Sequence, residues 1–431
     1  MSLSLQASAR RRLLMWLAGL LAGLPACGGG GGEASASNAP PATASPPPTP
    51  PVNRELVQAL ADWNETLADV LKIGTPVATA ELYLYPIASI AAHDALNGIG
   101  ARYARYLDGD ALRADANPVA AVVKTVRDVI VATLPAAQSM VDGRYAAALA
   151  TIPAGMARDA GIEVGATAAA RVLADRGSDL ASGHPPFAMT TRSQFRVPPP
   201  YGVASTEPNI HLAATRTAAF ATDFNEVRCI GREQTVMIAG CADRSAEQTD
   251  IALFWAESCT RGWNRAARNV AAARSDFDGW QLARLLALIH IAVTDSQNAA
   301  SDSKSAYDFW RPEAAMAGAD SDGNPDTRPE PGWAPVRPTP SSPDYPSAHA
   351  TGGDAGMAVL IAEFGDNVPF SMTSTSRIGV TRSFASFSQA AAENAVSRVY
   401  IGFHFRHATE VGRGLGRKVG DWAVANKLRP L

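Results

Sequence analysis

Three short stretches in the last third of the chain carry the residue types that handle an anion. "KSAYDFWRP" holds Lys304 and Arg311 seven positions apart. That is close to two helical turns, so the spacing predicts both cationic heads on one helix face, with Pro312 ending the helix. "YPSAH" holds Ser347, Ala348 and His349 between a proline-rich loop and a small-residue run, a loop-to-helix junction where free N–H groups can receive an anion. "SRVYIGFH" holds Arg398 and His404, placed near the end of a helix or on its first loop residues. Together these residues make an oxyanion cradle. Two arginines and a lysine neutralise a multiply charged centre, with guanidinium forks suited to its geometry. The Ser347 hydroxyl and the N–H groups near Ala348 add neutral donors. Of the two histidines, one can bond the central atom and the other can move protons.

Taken singly, each piece has a bland explanation: a solvated helix face, a helix cap, a core histidine, an arginine paired with an acid. Their order and spacing together point to one site. Other chemistry-bearing residues read as structural. His93 and Asp94 lie on an apolar helix and read as a buried hydrogen-bonded pair, and His290 in "LLALIHIAV" reads as core. "DSDGNPD" (320–326) begins like a calcium loop, but its twelfth position is Pro331 rather than a bidentate Glu, so it reads as a turn-rich loop. No glycine-rich phosphate loop with its lysine and no zinc-spaced histidine pair is present.

The elements that must position these residues are helical. From about Asn53 the 431-residue chain is dominated by Ala- and Leu-rich segments with a 3.6-residue period, and no hairpin dipeptide separates alternating strands, so the fold class is all-α. One segment is read as running through "SKSAYDFW", another continuously from "SFSQAAAENAV" to "GDWAVAN". Ser245 with Gln248 predicts a capping box. "IAAHDALN" (90–97) and "IAVTDSQN" (291–298) share Ile-Ala, Asp and Asn at the same offsets, an echo that two related helical bundles would explain. Two long loops interrupt the helices: 183–210, and 312–346 with nine prolines. The second runs from one candidate motif into the next, which favours function over mere connection.

The net charge of −3 gives no support for a nucleic-acid partner. At the N-terminus, Arg10–Arg12 precede the apolar run "LLMWLAGLLAGL", too short for a mature membrane span and shaped like a signal peptide. Leu24-Pro25-Ala26-Cys27 resembles a bacterial lipobox, with a Gly/Ser/Pro tether over 28–52. The expectation is an exported cell-envelope lipoprotein, reaching the membrane only through a lipid on Cys27. An ordinary secretory peptide is the alternative, and the resemblance to a twin-arginine signal is weak. The all-α catalytic domain would then span 53–431. Export permits disulfides. Cys229 and Cys241 would close a short loop, leaving Cys259 as a buried thiol.

The order Lys-x6-Arg-Pro, Pro-Ser-x-His, Ser-Arg-x5-His resembles the type 2 phosphatidic-acid phosphatase superfamily, and most closely its bacterial vanadium-dependent haloperoxidase-related proteins. The likeness extends through "LLALIHIAVTDSQNAASDSKSAYDFWRPEAA", "DGNPDTRPEPGWAPVRPTPSSPDYPSAHATGG" and "IGFHFRHATEVGRGLGRKVG". It implies an all-helical fold of helical bundles and vanadate as cofactor. Lys304, Arg311, Ser347, the Ala348 N–H and Arg398 would hold the oxyanion, and His404 would be the apical vanadate ligand. His349 would be the acid–base residue, and Lys304 would polarise bound hydrogen peroxide for attack by a halide. In a phosphatase version the cofactor site holds substrate phosphate: His404 attacks a phosphate ester and His349 protonates the leaving oxygen. A third reading is an inactive surface lipoprotein on the same scaffold. Three departures stand out. Ala348 replaces a usual Gly, which would narrow the usable backbone angles. Ala408 stands where an orienting Asp is common, with His407, Glu410 or a backbone carbonyl as substitutes. Ser301 and Ser342 stand where fungal chloroperoxidases of the family place Trp and Phe, which favours bromide or iodide over chloride.

Overall fold

Helix starts in this chain are set by side chains that satisfy the free N–H groups of the first turn. Asn53 accepts from Leu56 N at the start of α1 (Arg54–Val70), which is followed by α2 (Ala80–Ile99). Asn117 caps α3 (Pro118–Thr133), with Pro118 in the first-turn position that needs no donor. Next come α4 (Gln138–Ala150), α5 (Met156–Arg176), the short α6 (Ile210–Thr215) and α7 (Ala218–Ile230). The expected capping box of Ser245 and Gln248 opens α8 (Ala246–Phe254), and α9 (Cys259–Ala272) follows. A second capping box, Asp278 with Gln281, opens the 29-residue α10 (Gly279–Tyr307). The chain closes with α11 (Pro312–Gly318), α12 (Ala348–Phe364), α13 (Phe387–Tyr400) and α14 (Arg406–Asn426). The computed structural model describes residues 53–73, 80–109, 111–179, 181, 185–233 and 237–431. The lipobox and tether at 1–52 lie outside them.

The architecture is all-α, as the periodicity predicts. Helices α2, α3 and α5 pack on one another, α10, α12 and α14 do the same, and α2 lies against α10 to join the two groups. The repeated sequence motif recurs in both. Asp94 on α2 accepts from Tyr106 N and Leu107 N, while Asp295 on α10 accepts from Phe187 N, Ala188 N and Met189 N. Each carboxylate thus ties a loop to its bundle. His93 is buried but bonds the Ala104 carbonyl rather than Asp94; both residues serve the 104–107 loop, not each other. His290 is core, between Ser89 Oγ and Asn264 Nδ2. Cys229 and Cys241 are disulfide-bonded and Cys259 is a buried free thiol. In the calcium-like loop, Asp322 accepts from Asn324 N and Thr327 Oγ1, and the Asn324 amide donates to Thr215 O, so these side chains build turns. Among the described residues no helix is long and apolar enough to cross a membrane.

Three local details differ from the sequence reading, and two of them shape the site. The helix carrying Lys304 ends at Tyr307, with Asp308 in the left-handed region (φ 42°). Arg311 therefore precedes α11, and Pro312 opens that helix instead of closing the previous one. The segment read as one helix from Ser386 onward breaks between Tyr400 and Arg406. Gly402 sits there at φ +84°, with a hypothetical Cβ only 2.2 Å from Gly231 O, a place for glycine alone. A two-stranded hairpin, β1 (Phe370–Thr373) and β2 (Thr381–Phe384), also forms, pairing Phe370 with Phe384. Each strand has only four residues, so the apolar–polar alternation of β1 is too brief to stand out in the sequence.

Packing between α12 and α14 is backbone to backbone. A Cβ at Gly416 would stand 2.0 Å from Thr351 O, and one at Gly412 would stand 2.7 Å from Ser347 O. This approach brings the start of α12 beside the turn that leads into α14. Gly416→Ala is expected to destabilise the protein by about 1–3 kcal/mol through overpacking, read as a lower thermal midpoint. Gly414→Ala on the same helix, where a Cβ meets nothing within 4 Å, should be neutral or mildly stabilising.

Candidate functional site

The structure brings the sequence-predicted residues together at the meeting point of four segments: the end of α10, the turn before α11, the start of α12, and the break between α13 and α14. Lys304, Arg311, His349 and His404 each have a buried aromatic close by in sequence. Phe309, Tyr345 and Phe405 belong to one apolar cluster with Phe220, Phe224 and Trp333. Ring centroids of Phe220 lie 6.0 Å from Phe309 and 5.3 Å from Phe405. The apolar side of each loop is thereby fixed, and its polar side chain turns to the opposite side.

All three cationic groups are desolvated; Lys304, Arg311 and Arg398 are 3%, 7% and 3% exposed. Their N–H groups are oriented mainly by neutral carbonyls. Lys304 Nζ donates to Pro343 O and, at 3.0 Å, to Asp344 O. Arg311 donates through Nε to Ser342 O at 2.7 Å and through Nη1 to Phe403 O at 2.8 Å. Arg398 Nη2 donates to Trp255 O at 2.7 Å. Burial pulls all three below their ordinary pKa values, Lys304 to about 7 with Arg311 adding to the effect, and Arg398 to about 9. Against three cations stands Asp344, the one carboxylate hydrogen-bonded into this cluster among the described residues. Burial raises Asp344, and Arg311 and Lys304 oppose that rise. An uncompensated positive surplus in a dry site calls for an anion.

His404 is 4% exposed, with Nδ1 2.7 Å from Asp344 Oδ1 and Nε2 2.9 Å from Arg311 Nη1. A guanidinium can only donate, so Nε2 carries the lone pair and Nδ1 the proton. His349, on the first turn of α12, has its Nε2 buried with no hydrogen-bond partner. Such an orphaned nitrogen marks a place built for another group. Burial, then Arg398, holds His349 well below the ordinary imidazole range; burial, Arg311 and Lys304 do the same for His404.

Ser347 is fully buried and caps α12, its Oγ accepting from Ala350 N at 3.4 Å, while its own N–H donates to Ala408 O. Ala348 is the first residue of α12 and is not among the positive-φ residues. The methyl therefore causes no backbone strain, because the narrower range open to alanine includes this ordinary helical conformation. Neither side chain suggested as a substitute for the orienting Asp meets His404. His407 is stacked between Tyr201 and Tyr345, with ring centroids at 4.4 and 5.4 Å, and Glu410 is exposed. The carboxylate on Nδ1 is Asp344, which sequence reading missed. Its only signal was an acid inside "PDYPSAH", five residues before His349 and sixty before its partner. Ser342 is exposed at the rim, its Oγ 3.2 Å from Arg311 Nη2, and Ser301 is exposed on α10.

Helical bundles packed in this way are also the fold of solved vanadium haloperoxidases. Residues 284–430 match the family model described as the VCPO second helical-bundle domain. Vanadium chloroperoxidase from Curvularia inaequalis is 25% identical over 294 residues, 54% of this chain and 47% of that protein, so the chain spans about half the length of this curated relative. A crystal structure of a bacterial vanadium-dependent iodoperoxidase superposes with a TM-score of 0.68 at 22% identity, covering 87% of this chain and 97% of that one. A holo bacterial vanadium-dependent chloroperoxidase gives 0.61 at 15% identity, covering 82% and 93%. The chain has the helical fold of these vanadium haloperoxidases, and its residues 284–430 match the model of their second helical-bundle domain.

The donor set fits vanadate: desolvated cations, a serine hydroxyl, a helix N-terminus, and an imidazole nitrogen whose lone pair faces the cations. In the protein without cofactor both histidines should be neutral at about pH 6, where an ordinary imidazole is mostly protonated. Side-chain 15N spectra of histidine-labelled protein check this; an imidazolium signal from either ring at that pH would contradict the site's electrostatics.

Proposed function

We propose that the protein is a vanadate-dependent haloperoxidase that uses hydrogen peroxide to oxidise a halide, bromide or iodide rather than chloride. The observation that carries this is the surplus of buried positive charge facing His404 Nε2 and the unpartnered His349 Nε2. Vanadate, when bound, would supply a Lewis-acidic centre that activates hydrogen peroxide for the two-electron oxidation of a halide, in which peroxide, halide and one proton give hypohalous acid and water. The chain supplies the environment. Lys304, Arg311 and Arg398 neutralise the oxyanion without reorganisation, because carbonyls already fix their directions. Ser347 Oγ–H and the N–H groups at the start of α12 add neutral donors. His404 Nε2, which carries a lone pair, would be the ligand to the metal. His349, held neutral, takes a proton from incoming peroxide at Nε2 and returns it to a leaving oxygen. The Ser342 hydroxyl beside Arg311 makes the rim polar, which supports bromide or iodide.

The orientation of His404 by Asp344 also meets the main need of a histidine nucleophile, so phosphate-ester hydrolysis in the same pocket is the second reading. One pair of assays separates them. Purified protein reconstituted with orthovanadate should brominate monochlorodimedone in the presence of peroxide, and His404→Ala should abolish this. p-Nitrophenyl phosphate hydrolysis by the apo protein, inhibited by vanadate, would overturn the haloperoxidase reading in favour of the phosphatase. Silence in both assays would favour an inactive scaffold.

For localisation, the proposal is an exported envelope protein anchored through lipidated Cys27. Intact mass of membrane-extracted protein should show a chain beginning at a diacylated Cys27, and Cys27→Ser should move the protein to the soluble fraction. An unmodified chain cleaved elsewhere would refute the anchor.

A further inference from the structure

We propose that Asp344 is the positioning residue for His404, supplying from the loop before α12 the carboxylate that Ala408 cannot, and that it links all three motifs of the site. Its significance for vanadate rests on the haloperoxidase reading; its role in holding the ring does not.

The geometry is specific to this one residue. Asp344 is 1% exposed. Its N–H donates to Phe309 O at 2.8 Å, in the turn between Lys304 and Arg311. Its carbonyl accepts from Lys304 Nζ at 3.0 Å. Its carboxylate meets His404 Nδ1 at 2.7 Å. Three residues later Ser347 begins the α12 cap. Backbone and side chain of one residue thus hold the lysine motif, the serine–histidine motif and the arginine–histidine motif in register. Other candidates for the Nδ1 partner are committed elsewhere. The Ala408 side chain has no acceptor and its carbonyl takes Ser347 N–H. His407 Nε2 accepts from Tyr201 N at 2.8 Å. Glu410 faces solvent.

The consequence is a fixed tautomer. An acceptor at Nδ1 and a pure donor at Nε2 both require the proton on Nδ1 and the lone pair on Nε2. Only that tautomer presents a lone pair to a central atom held by the three cations. Without Asp344, Nδ1 loses its acceptor and the ring is free to turn or to exchange tautomers, as metal-binding histidines do when their outer partner is removed.

The test uses the full chain with 15N-labelled histidine, without cofactor. The wild type should show His404 with a protonated Nδ1 and a lone-pair Nε2. Asp344→Ala should lose that single-tautomer signature, whereas Asp344→Asn, whose amide oxygen can still accept from Nδ1, should keep part of it. Vanadate affinity, measured by 51V NMR or equilibrium dialysis, should fall about 10- to 100-fold. Asp354→Asn is the control: Asp354 is also buried and charge-paired, with Arg413 and Arg417, and its loss should leave both readouts unchanged. A wild-type His404 protonated at Nε2 would overturn the proposal without any variant. So would an unaltered His404 signature in folded Asp344→Ala. If the Asp344-dependent tautomer is present but the wild type binds no vanadate, the positioning role stands and the haloperoxidase reading fails.

Discussion

Placing three cations out of water, with one carboxylate to offset them, is the constraint on which the rest of this structure depends. Each buried charge forgoes its hydration, so each must be surrounded by dipoles that do not cancel it. The chain does this with backbone carbonyls at Ser342, Pro343, Asp344, Phe403 and Trp255. Those carbonyls come from irregular segments, which are free to bond side chains because no helix ladder claims them. A long proline-rich loop and a broken helix are therefore needed at the site.

Irregular backbone cannot position itself, and the helices solve that problem in two ways. The glycine face of α14 lets its backbone approach α12 within a distance that any larger residue would forbid. This sets the start of α12 against the turn that carries His404. Aromatic residues next to the charged ones then insert into a common apolar cluster behind the site. Burial of those rings stabilises the loops and at the same time aims the polar side chains, so packing energy and site geometry share one cause.

Low dielectric and excess positive charge also explain the histidines. Both are pushed toward the neutral form, which is the form with a lone pair to offer. The same surroundings that would hold an oxyanion thus prepare one imidazole to bind and the other to accept a proton. A methyl at position 348 does not disturb this, since an ordinary helical first turn suits alanine as well as glycine.

Much of this was legible in sequence because it is local. Helical periodicity, the Ser245 box, the Cys229–Cys241 loop and the three motifs are short-range patterns, and the resemblance in motif order pointed to one fold. What failed was also local in form but decided at long range. The spacing of Lys304 and Arg311 promised one helix face, yet Asp308 turns the chain and lets the arginine approach from another segment. The segment around His404 reads as helix, yet Gly402 breaks it against Gly231. The partner of His404 was sought four residues away on a helical turn and found sixty residues away on a loop. Sequence by itself determined which residue types were available and in what order. Only the tertiary structure decided which of them meet, because a hydrogen bond between distant loops is set by packing that no window of the sequence contains.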